Sequence, residues 1–178
     1  MNDKQLMKRA ADNIRILSVA MVEKAKSGHP GGAMGGADFI NVLYTEFMHF
    51  DPENPAYPFR DRFFLDPGHM SPMLYATLAL AGKYSLDDLK QFRQWGSVTP
   101  GHPEVDLAHG IENSSGPLGQ GHTYGIGAAI AAKKATDTIK ISNKDKNYRQ
   151  NSQNNLFYIF FIKIHNSIPP FQKLEFYV

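Results

Sequence analysis

Four histidines lie beside glycine in loop-like stretches: His29 in Ser27-Gly28-His29-Pro30-Gly31-Gly32, His69 after Pro67-Gly68, His102 in Pro100-Gly101-His102-Pro103, and His109 before Gly110. Glycine lets backbone approach a ligand closely, and imidazole exchanges protons near neutral pH, so the set points to proton chemistry on a bound small molecule. One histidine in such a loop is most often a solvated or satisfied polar group, but three in nearly the same Gly-His context weigh against that reading. A second stretch, Ser115-Gly116-Pro117-Leu118-Gly119-Gln120-Gly121, leads directly into an Ala-rich segment. Unpaired N–H groups at a helix start, approached through glycines, would form an anion site suited to a diphosphate, although a tight loop with a packed helix explains the stretch equally well. The third glycine of a dinucleotide fingerprint is missing, and there is no Gly-Lys-Ser/Thr triplet. A His-Glu-x-x-His zinc spacing is also absent, which leaves a metal-dependent hydrolase as the less favoured alternative.

These loops need a frame. Apolar positions Leu6, Ala10, Ile14, Leu17, Ala20 and Met21 recur at helical spacing over residues 3–26, and Ser27-Gly28 supplies a stop. Residues 37–48 read as a second helix after a glycine-rich loop. Residues 62–65, Arg-Phe-Phe-Leu, suit a buried parallel strand bounded by Asp66-Pro67-Gly68. Ser71-Pro72 reads as a cap and first-turn proline for a helix over 72–81, with Gly82 ending it. Ser85-Leu86-Asp87-Asp88 resembles a capping box opening a helix to about Arg93. Residues 94–119 form a long loop, of a length that is uncommon unless functional, and 120–133 form a helix in which Gly125 and Gly127 allow close packing. The expected fold class is α/β, with helices around a partial parallel sheet.

The chain has 178 residues, enough for one domain with a buried core, and no cysteine, which excludes disulfides and thiolate chemistry. All 15 glycines lie at or before Gly127. Residues 134–178 carry 7 Lys and Arg against 3 Asp and Glu, so the net charge of +2 belongs to this tail and is no argument for nucleic-acid binding. The break suggests two units, 1–133 and a divergent, unrelated or disordered tail over 134–178. The run Leu156-Phe157-Tyr158-Ile159-Phe160-Phe161-Ile162 in that tail has the pattern of an edge strand or an aggregation-prone segment. With no leader and no membrane span in the sequence, a cytoplasmic location is expected, without membrane partners.

Taken in order, Lys26-Ser27-Gly28-His29-Pro30-Gly31, Asp61-Arg62-Phe63 with Gly68-His69, Thr99-Pro100-Gly101-His102-Pro103-Glu104 and Gly116-Pro117-Leu118-Gly119-Gln120-Gly121 resemble the transketolase family over about residues 3–133. The resemblance implies the N-terminal part of a thiamine diphosphate-binding domain. Its expected reaction moves a two-carbon ketol unit from a ketose phosphate to an aldose phosphate. By the same resemblance His29 and His102 are catalytic residues, while His69, Gly116, Pro117 and Leu118 lie against thiamine diphosphate. Sugar phosphates, a homodimer or a complementary subunit are the implied partners.

Magnesium is expected for the family, yet the glycine-free residues 134–178 hold no counterpart of the Gly-Asp-Gly metal motif, and no metal ligand is assigned. The pyrimidine-binding domain has no counterpart either. The chain is therefore expected to be an inactive fragment that binds cofactor weakly or not at all. The alternative is a non-catalytic fragment that pairs with a full-length subunit.

Overall fold

The carboxylate of Asp3 accepts hydrogen bonds from the N–H groups of Gln5 and Leu6 at 2.9 and 3.0 Å, capping helix α1, Lys4–Ala25. The computed structural model describes residues 3–138, and α1 is the longest of the six α-helices among them. It ends where Lys26 turns left-handed at φ 50°, just before the expected stop. The buried face follows Ala10, Ile14, Ser18 and Met21, so Leu6 and Ala20 fall outside the stripe and are exposed.

The next helix starts earlier than its glycines suggest. Pro30 is the first residue of α2, Pro30–Gly35, where its fixed φ and missing N–H suit a first turn, so Gly31 and Gly32 are helical rather than loop. Helix α3, Ala37–Val42, follows and passes into a π-helical turn over Leu43–Phe47.

Phe63, Phe64 and Leu65 are buried, as expected, but among the described residues no strand forms over 62–65. A side chain meets this backbone instead. The Leu65 N–H donates to Asn113 Oδ1 at 3.0 Å, and Asn113 Nδ2 donates to the Leu65 carbonyl at 3.2 Å. The isolated antiparallel bridge between Asp106 and Ile111 lies within the long loop. The described residues thus show the helical layer of the expected α/β class without its sheet.

Helix α4, Ser71–Leu80, is buried on every side from Ser71 to Leu78, the pattern of a core helix, and α1, α2, α3 and α5 pack around it. Ser71 does not cap it. Ser71 is already the first residue of the helix, and its hydroxyl donates instead to the Gly101 carbonyl at 2.7 Å, tying the long loop to the core.

Helix α5, Leu86–Lys90, carries the expected capping box. Ser85 Oγ accepts from the Asp88 N–H at 3.1 Å, and the Ser85 N–H donates to Asp88 Oδ2 at 2.8 Å. The Ser85 hydrogen bonds hold the Asp88 carboxyl below its ordinary range, so this contribution is present above the unfolded carboxyl pKa and is lost as pH falls through the folded one. Ser85→Ala is expected to cost about 1 kcal/mol at neutral pH, read as a lower thermal midpoint. The helix stops short of Arg93, which adopts a left-handed φ of 60°.

Helix α6, Gln120–Thr138, runs beyond Lys133, so the composition break falls within a helix. Among the described residues no helix is long and apolar enough to cross a membrane. The apolar run at 156–162 and the rest of the tail lie outside the described residues.

Candidate functional site

Three of the four loop histidines converge. Gly28, at φ 136°, lets the chain leave α1 and place His29 at the start of α2, where the His29 and His69 rings lie 4.7 Å apart. His69 sits in a 3₁₀ turn, Gly68–Met70, that leads into α4. His102 is brought in by α4, since Ser71 Oγ and Tyr75 OH donate to the carbonyls of Gly101 and Pro100 at 2.7 and 2.9 Å. Burial pushes the Tyr75 phenol well above its ordinary range, so it remains a donor.

His102 is exposed to solvent. The desolvation it does undergo, ahead of the charges of Arg93, His69 and His29, lowers its proton affinity below that of an ordinary histidine. It is therefore neutral at physiological pH and able to accept or share a proton with a ligand hydroxyl. His109 does not join the cluster. Its ring stacks on Tyr84 at 4.7 Å and its Nδ1 lies 2.5 Å from Asp106 Oδ2, which braces the 106–111 turn.

The 115–118 loop borders the same region. A cleft of about 320 Å³ is lined by His102, Glu104, Ser115, Gly116, Pro117 and Tyr124 among others. Gly68 is pressed so closely on Ser115 that a Cβ there would lie 2.8 Å from its Oγ, which places His69 next to this loop. Gly116 has open space where a Cβ would stand, and Leu118 is 74% exposed, so both are free to meet a ligand. Ser115 Oγ is the feature that fits one best, because Ser115 is only 8% exposed and this oxygen has no hydrogen-bond partner. Ser115→Ala should therefore leave stability unchanged or raise it by up to about 1 kcal/mol in thermal unfolding of the ligand-free chain, because an unsatisfied buried hydroxyl is removed.

The anion site expected at the start of α6 is partly taken by the chain itself. The Asp66 carboxylate, whose side chain is 6% exposed, accepts from the Gly119 N–H at 3.2 Å and pairs with His122 Nδ1 at 2.8 Å. An internal anion thus sits where a ligand anion was expected. Gly121 permits this, because a Cβ there would lie 2.5 Å from the Asp66 Cβ; Gly127, expected to serve close packing, faces open space instead. His122 was missed although Gly121-His122 repeats the same Gly-His doublet. Asp66 carried no sequence signal, since its partners are more than fifty residues away.

Among the described residues no group of three or more His, Cys, Asp or Glu side chains is placed to hold a metal ion, so the hydrolase alternative gains no support from them.

Comparison with known proteins agrees with this arrangement. The family model described as "Transketolase, thiamine diphosphate binding domain" matches residues 6–160, which carries the match past the composition break. A Buchnera aphidicola transketolase is 49% identical over 141 residues, 79% of this chain and 21% of that protein. The solved Campylobacter jejuni transketolase superposes with a TM-score of 0.70 at 47% identity, over 76% of this chain and 21% of that one. A Pichia stipitis transketolase solved in complex with sedoheptulose-7-phosphate gives a TM-score of 0.67 at 44% identity, over 70% and 18% of the two chains. The chain spans about a fifth of the length of the curated relatives it matches. With the histidine loops, the 115–121 stretch and the helical layer all in place, this chain belongs to the transketolase family, within its thiamine diphosphate-binding domain.

Proposed function

We propose that this chain forms one wall of a transketolase site, for transfer of a two-carbon ketol unit from a ketose phosphate to an aldose phosphate, and that alone it does not turn over. The observation that carries the reading is the convergence of His29, His69 and His102 from three separate loops, with His102 also lining the cleft that Ser115, Gly116 and Pro117 border. Thiamine diphosphate supplies the carbanion chemistry when bound. The orphaned Ser115 hydroxyl, the open face of Gly116, Pro117 and Leu118, and the His69 ring would lie against it.

His29 and His102 would act on substrate. A neutral His102 can accept a hydrogen bond from a sugar hydroxyl, and His29 stands at the edge of the same cluster to take up or return a proton. The phosphorylated ligand named for the Pichia protein supports sugar phosphates as the substrate class.

Weak cofactor binding is proposed for two reasons. Asp66 holds the start of α6, and the described residues offer no metal group to offset a diphosphate. Titration calorimetry of the full chain with thiamine diphosphate, with and without magnesium, is expected to show no magnesium-dependent binding at micromolar cofactor. Tight magnesium-dependent binding would overturn the inactive reading and place a metal ligand outside residues 3–138.

A second reading, pairing with a full-length transketolase subunit, is favoured by Ile126 and Ile130, which are 53% and 64% exposed one turn apart on α6. Co-elution with an intact transketolase would support it, and loss of co-elution in an Ile126→Ser/Ile130→Ser variant would assign it to this face.

A further inference from the structure

Arg93 is an outlier in two respects. Its backbone is left-handed at φ 60°, a region that is unfavourable for an ordinary residue and that glycine adopts freely. No carboxylate pairs with its guanidinium among the described residues, although it is partly buried. Strain kept at a position where glycine would be easier implies that the side chain is used.

The space around Arg93 shows where. A Cβ on Gly101 would lie 2.5 Å from Arg93 Nε and 3.0 Å from Cζ, and a Cβ on Gly28 would lie 3.6 Å from Nη1. The guanidinium therefore fills the gap between the residues that immediately precede His102 and His29. The backbone turn serves the same end. The Arg93 N–H donates to the Thr99 carbonyl at 3.0 Å, and Thr99 Oγ1 donates to the Asp88 carbonyl at 2.9 Å, so α5 and the 99–102 loop are held together at this residue.

We propose that Arg93 is a positioning residue that spans the Gly28-His29 and Gly101-His102 loops and keeps a fixed positive charge beside the His102 ring. The other charged or titratable groups near His102 are His29 and His69 from their own loops, and Glu104 and Tyr124, which share the cleft. Arg93 is the group whose charge persists at every working pH, so it opposes protonation of His102 throughout. The inference rests on the reading of His102 as a site residue. It predicts a titration that needs no cofactor.

The test is an NMR titration of the histidine ring protons in the full chain, wild type against Arg93→Gly, Arg93→Met and Arg93→Lys. In Arg93→Gly the backbone strain is relieved, so the chain is expected to keep its thermal midpoint while the His102 titration midpoint rises toward about 6.5, the ordinary histidine value. Arg93→Met should shift His102 the same way. Arg93→Lys should leave the midpoint near wild type while moving the amide resonances of Gly28 and Gly101, because charge is kept and the planar clamp is lost. An unmoved His102 in folded Arg93→Gly overturns the proposal. If thiamine diphosphate binds elsewhere, the functional reading falls while this titration still decides the role of Arg93.

Discussion

Replacing Glu112 with alanine is expected to destabilise the chain by about 3–5 kcal/mol, the cost of leaving a buried charge without its partner. The Glu112 and Arg60 side chains are 5% and 3% exposed, so neither can turn to water. Glu112 takes Arg60 in a two-pronged pair at 2.5 and 3.0 Å and accepts from Arg62 at 2.9 Å. Arg60 Nη1 donates to the carbonyls of Ala56 and Tyr57 at 2.9 and 2.7 Å, so the guanidinium cannot follow a lost carboxylate without breaking the turn before residues 62–65. A domain of this size is stabilised by about 5–15 kcal/mol in total, which places the variant close to unfolding under ordinary conditions.

The position of Glu112 carries the effect to the candidate site. It stands between Ile111, which closes the bridge to Asp106, and Asn113, which holds Leu65, and Ser115 and Gly116 follow. Urea unfolding measures the loss, and a double variant, Arg60→Met with Glu112→Leu, guards against a single variant that does not fold. Replacing both members of a buried pair by apolar groups is often neutral, and Arg62, 30% exposed, can turn to solvent, so the double variant should recover most of the loss. A single-variant cost below about 1 kcal/mol, the value of an exposed pair, would show that the pair is not buried in solution.

Local devices were legible in the sequence, and tertiary substitutions for them were not. The Ser85 capping box and the apolar spacing of α1 act within a few residues, so their chemistry can be read in a short window. The burial of residues 63–65 was legible for the same reason, but not that the Asn113 amide would meet their backbone from forty-eight residues away. Ser71 shows a local rule overruled. Serine before proline reads as a cap, yet the hydroxyl contributes more by holding the Gly101 carbonyl on the buried side of α4. At the site, repetition of Gly-His marked the three loops that converge. The left-handed turn at Arg93 had no such marker, because arginine is not a residue that announces positive φ.

Gly121 and Gly127 in α6 should respond to the same substitution with opposite signs. A Cβ on Gly121 would lie 2.5 Å from the Asp66 Cβ, 2.7 Å from the Leu65 carbonyl oxygen and 3.1 Å from its carbon. Two of those atoms are backbone, held by the Asn113 hydrogen bonds, so no rotamer change relieves the contact. Gly121→Ala is therefore expected to cost about 3 kcal/mol, the upper part of the overpacking range. The helix must also back away from residues 65–66, which breaks the Asp66 contacts to Gly119 and His122 and opens the loop carrying Gly116, Pro117 and Leu118. Gly127 has no atom within 4 Å of its built Cβ, so alanine there gains helix propensity without a clash and should stabilise by up to about 1 kcal/mol. Urea midpoints of the two variants measure both effects, and the His122 ring resonance reports whether the Asp66 contact survives. Shifts of the same sign and size at the two positions would mean that α6 does not rest on residues 65–66, and that the first turn of this helix is not held by Asp66.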